Sequence, residues 1–131
     1  MFCEEMLSEM RFESVYWPDS QLIRIQIQYD YAGLLIYNDT LQKHLMINCS
    51  GFAGITNLCI WDDMIIMNAK IYPADNTHTG FMRNMYMAYD KNADYGGRSL
   101  SNGMQELRIE LENHITFSVF CQNIQVIEKE M

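Results

Sequence analysis

Asp90-Lys91-Asn92-Ala93-Asp94 sets carboxylate, amide and carboxylate oxygens at the first, third and fifth positions of one segment. Oxygen donors at that spacing can converge on a calcium ion, which makes Asp90, Asn92 and Asp94 the metal-ligand candidates. Two departures weigh against them. Tyr95 holds the sixth position, where glycine makes the sharp turn, and Ser101 holds the twelfth, where a bidentate glutamate belongs. Asp and Asn also stabilise turns in a polar loop without any ion, and the departures favour that account.

Other residue types capable of chemistry lack their partners. Gly96-Gly97-Arg98-Ser99 and Gly103 lack the lysine and the spacing of a phosphate-binding loop. His44, His78 and His114 stand far apart, with no H-x-x-x-H or His-Cys spacing for zinc. Cys49, Cys59 and Cys121 fall in apolar runs that bury a thiol and keep it protonated, so a Cys-His nucleophile is disfavoured. There is no C-x-x-C pair, and reduced, buried cysteines are expected. Asp62 and Asp63 follow Trp61, but adjacent residues on a strand point to opposite faces and cannot both address one substrate. No cofactor motif is found, and the reading favours a binding protein over an enzyme.

These residues must be positioned by a small scaffold. The chain has 131 residues, 49% of them hydrophobic, which suits one domain spanning residues 1–131 with one core. Ile23, Ile25, Ile27 and Tyr29 alternate with Arg24, Gln26 and Gln28, the period of a strand with one wet face. Leu107, Ile109 and Leu111 alternate likewise with Arg108, Glu110 and Glu112. Further strands are expected over residues 34–37, 44–50, 56–61, 64–72, 115–121 and 124–127. Apolar residues at helical spacing predict an amphipathic helix over residues 2–10 and a second over residues 79–89. Residues 90–103 form a polar, glycine-containing loop. The expected class is α+β: a mostly antiparallel sheet of six or seven strands with one or two packed helices.

Charge and patterning narrow the function. Seventeen acidic against nine basic side chains give a net charge of −8, a field that repels phosphate backbones and anionic lipid surfaces. Nucleic acid and membrane are therefore not expected partners. A basic protein or a cationic ligand is the type such a field draws in, and a homo-oligomer is compatible with it. No secretory signal or apolar span is visible, so the expected address is the cytoplasm.

Trp17-Pro18-Asp19-Ser20, running directly into the first alternating strand, resembles the opening of small bacterial immunity-protein families of polymorphic toxin systems. In those families a Trp-Pro stretch precedes a His-Asp pair and the first strand; here Pro18 stands where the histidine would be. The strand pair from Ile115 to Val126 is similar in outline. The resemblance implies a small cytoplasmic α+β protein that binds and neutralises a cognate toxin without doing chemistry. Asp62, Asp63, Asp90 and Asp94 would then contribute charge, with Tyr95 or Trp61 as an aromatic anchor. The competing expectation is a small-molecule or metal-binding module using the 90–103 loop.

Overall fold

Strand patterning dominates the observed structure. The computed structural model describes residues 9–58, 64–73 and 104–129. In chain order their strands are β1 (Glu9–Met10), β2 (Gln21–Gln28), β3 (Tyr31–Asn38), β4 (Lys43–Ser50), β5 (Gly54–Thr56), β6 (Ile66–Pro73), β7 (Gln105–Leu111), β8 (Thr116–Cys121) and β9 (Asn123–Lys129). The first sheet has the order β1-β9-β4-β3-β2 and the second β5-β8-β7-β6, with every pairing antiparallel.

The two sheets are joined at both sides. Along one, β4–β5 and β8–β9 run as a single bent ribbon: Ser50 pairs with Asn123 in the first sheet and Gly54 with Phe120 in the second. Across the bend the Gln122 N–H donates to the Ser50 carbonyl at 3.0 Å and the Ala53 N–H to the Phe120 carbonyl at 2.7 Å. Gly51 turns the corner at φ +64°, and a Cβ there would lie 2.6 Å from the Gln122 side chain, so the position requires glycine. Along the other side, the Asp19 N–H donates to the Ile66 carbonyl, the Ile66 N–H to Ser20 and the Leu22 N–H to Met64, each at 2.8 Å. Strands that switch or bridge sheets in this way form the corners of a bent sandwich.

The core fills the space between the sheets. Ala32, Leu34 and Ile36 of β3 and Leu45, Ile47 and Cys49 of β4 face Leu107, Ile109 and Leu111 of β7 and Phe117, Val119 and Cys121 of β8. All twelve are fully buried, and removing each large side chain from water contributes about 1.5–3 kcal/mol. Trp17 seals one end, its ring 5.0 Å from Phe12 and its Nε1 donating to the Phe12 carbonyl at 3.1 Å. Asn38 is buried beside it: its amide donates to the Tyr16 carbonyl and to Ser20 Oγ, both at 2.9 Å, and its Oδ1 accepts from the Leu41 N–H.

The α+β expectation is corrected. Among the described residues there is no α-helix, only one 3-10 turn over Phe12–Ser14, and the fold is all-β with two antiparallel sheets in place of one. Of the helix expected over residues 2–10, residues 2–8 lie outside the described residues, and Glu9 and Met10 are strand instead, paired with Ile127 and Val126. A strand of two residues has no period to read, and the ladder with β9 overrides the helical spacing. The helix expected over residues 79–89 lies outside the described residues. A bulge after Leu22 turns Ile23 outward, 46% exposed, and a second after Ile66 exposes Met67, so neither follows its expected face. No helix among the described residues is long and apolar enough to cross a membrane.

Candidate functional site

The outer face of the second sheet carries a charged cluster at its centre. Strand alternation sends Leu107 and Ile109 inward, so Glu106, Arg108 and Glu110 of β7 face outward. Register sets Tyr72 beside Glu106, Lys70 beside Arg108 and Asn68 beside Glu110 on the β6 side, and Ser118 beside Arg108 on the β8 side. The Arg108 fork grips Glu106 with both arms, Nε to Oε2 at 3.0 Å and Nη2 to Oε1 at 3.1 Å. Ser118 Oγ donates to the same Oε2 at 2.6 Å. The Arg108 guanidinium lies 4.2 Å above the Tyr72 ring, a cation–π contact between neighbouring strands.

Burial divides the cluster into a hidden anion and a reachable cation. The Glu106 side chain is 3% exposed and that of Arg108 36%. The hydrogen bonds Arg108 donates to Glu106, with the charge of that carboxylate, hold its guanidinium above its ordinary pKa, so it stays charged at every physiological pH. A shallow cavity of about 90 Å³ opens over the face, lined by Asn68, Lys70, Tyr72, Arg108 and Glu110. This arrangement offers a rigid set of donors, one acceptor carboxylate and an aromatic plane. Its buried carboxylate is committed to Arg108 and Ser118, which suits recognition better than proton transfer.

A second concavity lies where the bent β8–β9 strand leaves β7 and takes up β1. It is a groove of about 500 Å³ with Met10, Phe12, Ile71, Ile124 and Val126 among its lining. Gln105 stands at its wall, its amide donating to the Gln122 carbonyl at 2.8 Å.

Every residue singled out from sequence as a site, namely Asp62, Asp63, Asp90, Asn92, Asp94 and Tyr95, lies outside the described residues, as does Trp61. Among the described residues no group of three or more His, Cys, Asp and Glu side chains could hold a metal ion. His44 sits on β4, its ring 5.1 Å from that of Tyr37, and His114 occupies the β7–β8 turn at φ +71°, on the other sheet. Cys49 and Cys121 do meet: both are fully buried, and a hydrogen bond between the two thiols together with desolvation pushes the Cys49 thiol far up. The cluster around Glu106 was missed. Its sequence signal is opposite charges two residues apart on a strand, but Tyr72 and Ser118 join it only through cross-strand register.

No family model, curated protein or solved structure matches the chain.

Proposed function

We propose that the protein is a non-enzymatic binding module for another protein, with immunity-type inhibition of a basic toxin as its specific form. The observation that carries this reading is the outer face of the second sheet, where Tyr72 and Arg108 are stacked and Arg108 is locked from below by buried Glu106. Interfaces draw most of their energy from a few Tyr, Trp and Arg anchors, and an anchor already held in place loses little freedom on binding. Glu110 adds an acidic contact at the edge of the same cavity. The net charge of −8 supplies the long-range attraction that speeds encounter with a basic partner. The resemblance around Trp17-Pro18-Asp19-Ser20 points the same way.

The test uses three baits in lysate of the protein's own source: the unsubstituted chain, Tyr72→Ala and Glu110→Lys. A basic protein recovered at one-to-one stoichiometry by the first bait is then titrated against all three. Tyr72→Ala is expected to weaken binding by about tenfold or more. Glu110→Lys is expected to slow association and flatten its salt dependence. Equal binding by all three would remove this face from the interface.

The groove favours a second reading, a site for a small amphipathic ligand, because its volume falls within the range of small-molecule sites and Glu9, Arg11 and Glu13 line it beside Ile71 and Ile124. That reading predicts a melting shift with an amphipathic probe that Ile124→Lys abolishes. The separate alternative of a metal-binding module using the 90–103 loop, with Asp90, Asn92 and Asp94 as calcium ligands, predicts a shift in millimolar calcium that Asp90→Asn abolishes.

A further inference from the structure

Cys49 ends the inward-facing run of β4 in the first sheet, and Cys121 ends that of β8 in the second. The ribbon bends between them, with residues 50 and 122 joined by the Gln122 N–H to Ser50 carbonyl bond, and both side chains point to the concave side of that bend. Both are free thiols with no exposed surface in one core cluster, and interaction with Cys121 is the leading cause that raises the Cys49 thiol. The chain between them contains β5, β6, β7 and β8, which is every strand of the second sheet. A covalent link here would tie the start and the end of that sheet to one point on the first.

We propose that Cys49 and Cys121 are a disulfide site that staples the two sheets when the chain folds in the presence of a disulfide oxidant. One thiolate attacks the oxidant's S–S bond, forming a mixed disulfide and releasing one reduced thiol. The second cysteine then attacks the protein sulfur of that mixed disulfide, closes the Cys49–Cys121 bond and releases the second thiol. Two protein thiols lose two protons and two electrons, and the oxidant's disulfide becomes two thiols. Burial decides the timing. A thiol without solvent contact, held protonated, does not attack an oxidant in the folded state, so the bridge is made while the chain is open and is then shielded from reductants. The long loop it closes makes the constraint on the unfolded chain large. The folded protein would thus retain a record of the redox state in which it folded.

The test is made in a Cys3→Ser/Cys59→Ser chain, which leaves only this pair. It is refolded from denaturant once with reduced and once with oxidised glutathione, and thiols are then counted in denaturant. Oxidative refolding is expected to consume both thiols, raise the melting temperature by about 10 °C and leave a bridge that reductant opens slowly in the folded protein. Cys49→Ala in that background should abolish the gain. Two titratable thiols after oxidative refolding, or a bridged form that melts below the dithiol form, would overturn the proposal. Should the doubly substituted chain fail to fold, a chymotryptic map of the unsubstituted oxidised chain serves, because Phe52 separates Cys49 from Cys59. A Cys49–Cys121 linked peptide supports the staple, and linkage through Cys3 or Cys59 in its place refutes it.

Discussion

Asn38 and Glu106 are both polar, both on strands and both almost fully removed from water, yet the surroundings of the two differ. Asn38 lies on the inward phase of β3, donates to Tyr16 and Ser20 and accepts from Leu41. Each partner is neutral, and together they clamp the segment before β2 to the β3–β4 turn. Glu106 lies on the outward phase of β7, and its partner Arg108 remains one-third exposed beneath a cavity. A buried amide bonded on all sides to its own chain closes the structure. A buried carboxylate paired with a reachable cation leaves one side of the pair free to meet another molecule.

That contrast can be broken at either end. Arg108→Ala removes the fork from a buried carboxylate and is expected to cost about 2–3 kcal/mol, less than for a fully buried pair because Arg108 is partly solvated. In a Glu106→Gln background the same substitution should cost much less, and a double-mutant cycle by urea melts measures the difference. Asn38→Ala deletes neutral bonds and should cost about 2 kcal/mol. Its cost should hold from low to high salt, whereas that of Arg108→Ala should shrink.

The Cys49 thiol sharpens the comparison, because in the unfolded chain it titrates in an accessible range. Burial and the bond to Cys121 raise the Cys49 thiol above its ordinary value of 9.0. The unfolded chain therefore releases this proton first. The contribution of Cys49 to stability is complete below pH 9 and is lost as pH rises, by about 1.4 kcal/mol per unit. Melts between about pH 8 and 10 should show this slope in the reduced protein, and Cys49→Ala should remove its share of it. Tyr72→Ala has the smallest expected effect on stability, about 0.5–1 kcal/mol for an exposed cation–π contact. A larger loss in partner binding than in stability would separate recognition from folding at this face.

Legibility followed local chemistry. The alternation of Leu107, Ile109 and Leu111 with Arg108 and Glu110 survives, because the first three are buried and the last two keep partial exposure on the opposite face of β7, where only Glu106 is buried. Proline holds its predecessor out of the helical region and Asp-Ser favours a turn, and Asp19 there adopts φ +70°; Asn113-His114 between two strand patterns reads as a hairpin connection, and His114 takes φ +71°. The bulge at Ile23 was not legible, since an extra residue in one strand is defined only against its partner. Nor was β1, whose two residues take strand geometry from β9. The site was legible as charge on one face of a strand and illegible as a site, because Tyr72 precedes Glu106 by 34 positions and reaches it only through the β6–β7 register.

By itself, then, the sequence determined where most strands run, which side of each is apolar, and where Asp19 and His114 turn the chain, because these depend on nearest neighbours and on side-chain period. Only the tertiary structure decided that the strands divide into two sheets, that the β4–β5 and β8–β9 ribbon bends through both, that Glu106 is buried under Arg108, and that Cys49 meets Cys121. Each of those facts depends on register and on contacts between residues distant in the chain, which no local pattern encodes.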